Sequence, residues 1–386
     1  MLAAFMHPFP FRGQRAPLLW VFYRLVTQFG SDIVFLLSRD YLESPDAYRA
    51  AGRWELSPEA QGALGYRTPT RAELDGLRVE IVPDDWTESM TRRFGTCPLS
   101  PWRHFLLSRD ALLEDWIATA LHRQQARLGE PFDAVLVWNN CLALKAAVRD
   151  AGLPLLHWEL GPLRAPQFRP TAYLDRQNVN GGTECEARLK AAQERGELER
   201  LPALDRPALE GLFRTAGPVE STGDFEIGVP FQVDDDSNLI AYANGHDNAS
   251  LLQHALHRCS APGRVLVRNH PGRRAELPAG EFAVDRSAGS VPFIQRCESI
   301  VTINSGVGLE ALLMGKPVEA LGDSPYAHIA RLATASPEWL GALRFFLLCY
   351  LVPWSLLFDP GYIRWRLGGP AEPEVAARHL AAYQAS

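Results

Sequence analysis

Four groups of residues have the types and spacing that chemistry on a charged ligand needs. The first is Thr302-Ile-Asn-Ser-Gly-Val-Gly-Leu-Glu-Ala-Leu-Leu-Met-Gly-Lys-Pro-Val318. An apolar run, Ser299–Ile303, stops at Asn304-Ser305-Gly306; apolar residues then recur at helical spacing until Gly315-Lys316-Pro317. A Ser-Gly turn from a strand's end into a helix leaves backbone N–H groups unpaired. With the helix dipole, these groups suit an anion such as a phosphate. Glu310 lies on the turn facing such a ligand and is placed to accept hydrogen bonds from ribose hydroxyls. The same residues also make an ordinary βαβ turn with a solvated Glu.

The second group is Arg268-Asn-His-Pro-Gly-Arg-Arg274, directly after an apolar run. His270 can hydrogen-bond a phosphate oxygen and, as imidazolium, offset leaving-group charge; Arg273 and Arg274 suit bidentate binding of a carboxylate or phosphate. Read plainly, this is a polar Pro-Gly turn with its arginines in water. The third is Val229-Pro-Phe-Gln-Val-Asp-Asp-Asp-Ser-Asn238, where three adjacent carboxylates repel one another. One Asp serves as nucleophile or electrostatic stabiliser at an anomeric carbon, or the run is an acidic cap. The fourth is His157-Trp-Glu-Leu-Gly-Pro-Leu163, continuing to Tyr173-Leu-Asp-Arg-Gln-Asn-Val-Asn180. Glu159 at a strand end can orient or deprotonate a hydroxyl, or it is an exposed turn residue. Asp175 and Asn180 join it on the acceptor side, or act as Asx residues that stabilise the loop.

The elements that must position these groups alternate between strand and helix. Strands are expected around Leu2–Met6, over Asp32–Leu37, Val79–Val82, Phe132–Trp138 and Pro154–Glu159, with helices over Ala16–Phe29, Asp110–Arg127 and Leu142–Asp150. The section from about 40 to 105 is otherwise rich in Pro, Gly, Trp and charge. After a charged, helical connection over Glu184–Gly217, the alternation restarts. It runs as a strand Asn238–Ala243, a helix 248–258, a strand Arg264–Arg268, a helix near Pro292–Cys297, and the strand–turn–helix described first, followed by a strand Val318–Leu321. Such alternation predicts an α/β fold with parallel sheets covered on both faces. Two α/β halves place the ligand crevice at the C-terminal ends of strands, in a central cleft. The expected domains are residues 1–217, 218–335 and a helical segment 336–386 packing back on the body.

The 386 residues, 47% hydrophobic and 22% charged, describe a globular chain, and a net charge of −6 argues against a general nucleic-acid binder. The six cysteines are scattered with no CxxC pair, so neither a zinc site nor a disulfide framework is indicated, and a cytoplasmic setting is the simplest. The start, Met1 to Pro8, lacks the apolar run and flanks of a signal peptide. The most apolar segment, Leu340–Phe358, contains Arg344 and Pro353 and reads as amphipathic helices broken at Pro353, not as a membrane span. Flanked by Arg364 and Arg366, it packs on the body or forms a membrane-surface patch.

Together these pieces resemble the retaining β-Kdo glycosyltransferases of capsule and lipopolysaccharide assembly. The resemblance is carried by Gln232-x-x-x-Asp236, His270-Pro271, Asn304-Ser305-Gly306-Val-Gly-Leu-Glu310-Ala-Leu, Glu159-Leu-Gly-Pro with Asp175…Asn178-Val-Asn180, and the tail from Arg344 to Pro353. It runs from about residue 130 to 365. It implies a GT-B fold, CMP-β-Kdo as donor, a glycan or glycolipid acceptor, no metal requirement, and retention at the anomeric carbon. His270 with Pro271 would then meet the CMP phosphate, Asn304, Ser305 and Gly306 would hold it too, and Glu310 would lie on the nucleotide side. Asp236 would be the nucleophile, with Gln232 its neighbour, and Arg273 or Arg274 would face the Kdo carboxylate. Attachment would be peripheral at the inner membrane face at most, alone or within an assembly complex. Two other readings use the same residues: a GT-B nucleotide-sugar 2-epimerase, which shares the His-Pro loop and the Ser-Gly…Glu-Ala helix start, and a non-catalytic scaffold of a polysaccharide assembly complex.

Overall fold

The computed structural model describes residues 1–8, 15–50, 61–62, 64–95, 97, 99–215, 217, 221–271 and 280–385. The first sheet contains β1 (Leu2–Phe5), β2 (Ile33–Leu37), β3 (Arg78–Ile81), β4 (Ala134–Trp138), β5 (Leu155–Leu160), β6 (Thr171–Asp175) and a short late strand, β12 (Val352–Pro353). Their order is β12-β6-β5-β4-β1-β2-β3. Strands β1 to β5 pair in parallel and β12 runs antiparallel to β6. Strands β1, β2 and β4 are buried along their whole length, as continuous apolar runs in a covered parallel sheet must be. Helices α1 (Leu19–Phe29), α2 (Ala111–Leu128) and α3 (Leu142–Asp150) lie in the connections. Asp110 caps α2 by accepting from the Leu113 N–H, and Gly129 ends it at φ 72°, in the left-handed region that glycine tolerates.

The second sheet contains β7 (Phe225–Pro230), β8 (Val265–Arg268), β9 (Ala283–Val284), β10 (Cys297–Thr302) and β11 (Val318–Ala320). All pairings are parallel and the order is β11-β10-β7-β8-β9. Helices α4 (Ser237–Tyr242), α5 (Asn248–Arg258), α6 (Ser290–Gln295) and α7 (Gly306–Leu313) connect these strands, and Ile227, Val229, Leu251, Val265, Val267 and Ile303 form the core on one face. Helix α8 (Pro337–Phe345) follows and widens into a π-helical turn, Phe346–Tyr350. Fold class is as expected: α/β, with two sheets, the first parallel from β1 to β5 and the second parallel throughout.

Two sequence expectations need correction. The run Asn238–Ala243 is not a strand; it falls in α4 and its C-cap, because Asp236 accepts from the Asn238 N–H at 2.9 Å and starts a helix. The central strand of this sheet is instead β7, whose apolar signal is diluted by Glu226, Gly228 and Pro230. Gly228 is required there: a Cβ would come within 2.6 Å of Ile300 and 2.7 Å of Cys297. Among the described residues the Pro- and charge-rich section also contains four helices, Pro45–Ala50, Arg71–Asp75, Asp84–Phe94 and Leu99–Leu107, besides its strand.

The chain forms two compact units, Met1–Trp158 with Leu357–Gly369, and Glu159–Leu356 with Pro370–Ser386. The helical connection after Glu184 belongs to the second unit: Arg188 bonds Glu372 at 2.9 and 3.0 Å, and the Gly182 N–H donates to Asp323 at 2.7 Å.

Candidate functional site

Sheet order creates the site. Counted from β7, the second sheet leaves to one side through β8 and β9 and to the other through β10 and β11, so the C-terminal ends of β7 and β10 are the switch point. Gln232 follows β7 and Asn304 follows β10, and both are buried. They bond each other twice: the Gln232 amide donates to Asn304 Oδ1 at 3.0 Å, and the Asn304 N–H donates to Gln232 Oε1 at 3.3 Å. Asn304 Nδ2 also donates to the carbonyls of Asn238, Tyr242 and Asp323 at 3.0–3.2 Å. Asn248 adds a reciprocal pair with the Gln232 backbone at 2.8 and 3.0 Å. Gln232 therefore braces the two loops, with both ends of its amide engaged.

Helix α7 begins where the sequence places it. Ser305 is its N-cap, accepting from the Val307 N–H at 3.3 Å. The buried Tyr326 hydroxyl donates to the Ser305 carbonyl, and Gly308 lets that ring approach, since a Cβ there would strike its oxygen. Gly306 sits under Pro162, 3.2 Å from a would-be Cβ. The Gly161-Pro162 turn thus packs directly on the helix's first turn, and the second unit holds both.

Glu310 is not solvated. It is 8% exposed, and its Oε2 is buried with no partner among the described residues. Burial pushes its carboxyl up to about 7, against the pull of the Ser290 hydroxyl and of the Arg164 and Arg268 charges. Ser290 at the start of α6 donates to Gln167 Oε1 at 2.8 Å. Arg268 is committed elsewhere: it bonds Asp285 at 2.5 Å and the Ser287 carbonyl at 3.0 Å. A buried carboxyl oxygen lacking a donor, one helical turn from a helix N-terminus, suits a ligand carrying hydroxyls next to an anion.

The acidic run precedes α4. Asp234 is exposed, while Asp235 and Asp236 are half-buried. Asp236 caps the helix, and its bonds from the Asn238 N–H (2.9 Å) and the Ser237 hydroxyl (3.5 Å) both fall on Oδ1. Among the described residues Oδ2 has no such bond. Ser237 also accepts from Asn180 Nδ2 at 3.1 Å, which ties the loop after β6 to the start of α4. Asn180 takes the left-handed conformation, φ 72°.

Asp175 is fully buried and accepts from the N–H groups of Gln177, Asn178 and Glu184 and from the Tyr350 hydroxyl at 2.6–3.0 Å. Burial and the Glu184 charge raise its carboxyl to about 6 against those bonds. This geometry fits the loop anchor, not a contact open to an acceptor. Glu159 is half-buried at the end of β5, with Oε1 accepting the Leu160 N–H at 2.8 Å. His270 is half-buried and Pro271 exposed just past β8, on the same strand-end edge as Gln232 and Ser305. Arg273 and Arg274 lie outside the described residues.

Residues 4–184 match the model of the glycosyltransferase 99 family N-terminal domain, and residues 219–330 that of the capsule polysaccharide biosynthesis proteins. The earlier part of the chain is thus similar to the one family and the later part to the other, both named for glycosyl transfer or capsule polysaccharide assembly. A curated relative, protein FixF of Sinorhizobium fredii, is 27% identical over 173 residues; the match covers 41% of this chain, and the chain spans about 41% of that relative's length. Among solved structures it is similar to two from Thermosulfurimonas dismutans. The KpsC beta Kdo 2,7 transferase is 20% identical, covering 61% of this chain and 82% of that one with a TM-score of 0.39. The beta Kdo 2,4 transferase is 19% identical, covering 66% and 95% with a TM-score of 0.38.

The strand-end edge of the second sheet brings together Gln232, Asn304, Ser305, Glu310 and the Asp236-capped helix. Sequence reasoning did not single out Gln167, Ser290 or Arg164. The signal for Arg164 was its place directly after Gly161-Pro162-Leu163; no pattern pointed to Ser290 before its contact with Gln167 was seen.

Proposed function

We propose that the chain transfers Kdo from CMP-β-Kdo to a glycan or glycolipid acceptor, with retention, in surface polysaccharide assembly. Similarity to the two families supports a nucleotide-sugar donor and a glycan acceptor. The resemblance of the Gln232–Asp236, His270-Pro271 and Asn304–Glu310 segments supports Kdo and CMP. The observation that carries the reading is the Asn304 side chain, which ties the Gln232 loop, α4 and the start of α7 into one strand-end site.

In this mechanism Asp236 Oδ2 attacks the anomeric carbon, the bond to the phosphate oxygen breaks, and CMP leaves with the electron pair. His270 and the α7 N-terminus offset the charge on the departing phosphate. An acceptor hydroxyl then attacks the same carbon, its proton passes to Glu159, and the bond to Asp236 breaks. Two inversions give retention. No step uses a metal, so EDTA should leave the rate unchanged.

The test is intact-protein mass spectrometry of the wild type and a slowed Glu159→Gln variant given CMP-β-Kdo without acceptor. A mass gain of one Kdo on the peptide holding Asp236 is expected. Asp236→Asn should keep CMP affinity and lose transfer. An Asp236→Ala enzyme that still turns over, with no adduct trapped, would overturn the mechanism and make Asp235 the next residue to replace.

A further inference from the structure

We propose that Arg164 is the cation that binds the donor's oxyanion beside the N-terminus of α7, an inference that rests on the donor reading above. Arg164 belongs to the turn that roofs this helix. Gly161 admits no side chain, since a Cβ would come within 2.6 Å of the Thr171 backbone, and Pro162 lies on Gly306. The Arg164 Nε donates to the Gly161 carbonyl at 2.9 Å, which fixes the base of the guanidinium. The rest of the side chain is exposed, and among the described residues no carboxylate pairs with it.

Comparison with Arg268 decides which arginine has charge to offer. Both act on the buried Glu310. Arg268 pairs with Asp285 at 2.5 Å, a carboxylate also approached by Arg296 at 3.4 Å. Arg164 has no such partner. The turn that carries it packs through Pro162 on the first residue of α7, an eight-residue helix, in which Glu310 Oε2 is buried with no partner among the described residues. A free guanidinium fork and helix N–H groups favour a phosphate or carboxylate, and the orphaned carboxyl oxygen favours adjacent hydroxyls. The donor carries both kinds of oxyanion, the nucleotide phosphate and the sugar's own carboxylate.

The experiment uses the full chain as wild type, Arg164→Ala and Arg164→Lys. Calorimetry with CMP and with cytidine, and the KM for CMP-β-Kdo, separate the two sources. If Arg164 meets the phosphate, Arg164→Ala weakens CMP about tenfold and leaves cytidine unchanged. If it meets the carboxylate, CMP affinity holds and the KM of the intact donor rises by about tenfold. In either case Arg164→Lys recovers part of the loss. CMP affinity and donor KM both within about twofold of wild type, in a variant with unchanged melting, overturn the proposal. A wild type that ignores every cytidine ligand sinks the donor reading instead. Arg164→Ala is then compared with UMP against uridine, and equal UMP affinity in the two proteins overturns the inference.

Discussion

Glu310 is a carboxyl that water barely reaches, and its position sets a pH dependence. Burial raises its pKa to about 7 from the ordinary value of 4.5. For an acid raised on folding, the stabilising contribution is complete below the unfolded value and is lost as pH climbs through the folded one. Wild type should therefore lose stability from this group between about pH 4.5 and 7. Gln keeps the shape and does not titrate. Glu310→Gln should melt near the wild type at pH 5 and, relative to it, gain a few degrees by pH 8. A melting difference that stays flat across this range would show that the carboxyl is not held in its neutral form. His157 has the opposite sign. Burial lowers it to about 4, so its contribution is complete above the unfolded value of 6.5 and falls away as pH drops toward 4. The two effects act in overlapping windows, so the Glu310 experiment must be read as a difference between proteins at each pH.

At the scale of elements, α7 shows how little tolerance the site has. Its third residue, Gly308, faces Tyr326, a ring 1% exposed whose hydroxyl holds the Ser305 carbonyl. Gly308→Ala should push this ring away, break that bond and loosen the N-cap, costing about 1–3 kcal/mol as overpacking does. CMP affinity should fall in the same variant. Gly306→Ala meets Pro162 at 3.2 Å and should cost less. Equal melting temperatures for Gly308→Ala and wild type would separate Tyr326 from the site. The sequence made α7 legible because Ser-Gly, the apolar period and Gly315-Lys-Pro all point to one element. It made α4 illegible because six half-apolar residues after an acidic run fit a strand or a helix alike, and only the Asp236 cap decides. Strand β7 was hidden for a different reason: its glycine serves a contact with Ile300 and Cys297, which lie about seventy residues on. The burial of Glu310 and the free charge of Arg164 depend on packing between distant segments, so no local pattern contained them.

At the scale of the whole molecule, the apolar tail decides how the protein meets a membrane. Among the described residues no helix is long and apolar enough to cross one. Phe345 to Val352 are all 0% exposed, and Arg344 just before them donates to the Leu204 carbonyl at 2.9 and 3.1 Å. Tyr350 in this stretch holds Asp175, and Arg188 reaches the Cys349 carbonyl. The segment is thus core of the second unit, and its apolar side chains are not a face for lipid. With a net charge of −6, attraction to an anionic leaflet would have to come from a local basic patch, and salt would screen it. The protein should leave membranes in high salt and in alkaline carbonate; retention through both washes, with release only by detergent, contradicts this account. A substitution separates the two roles of the tail directly. If Leu347 packs the core, Leu347→Asp buries an unpaired charge and should abolish cooperative melting or remove most of the stability. If Leu347 instead faced lipid, the same variant would stay folded, melt normally and merely shift from the membrane to the soluble fraction. Normal melting would therefore return Leu340–Phe358 to the membrane surface.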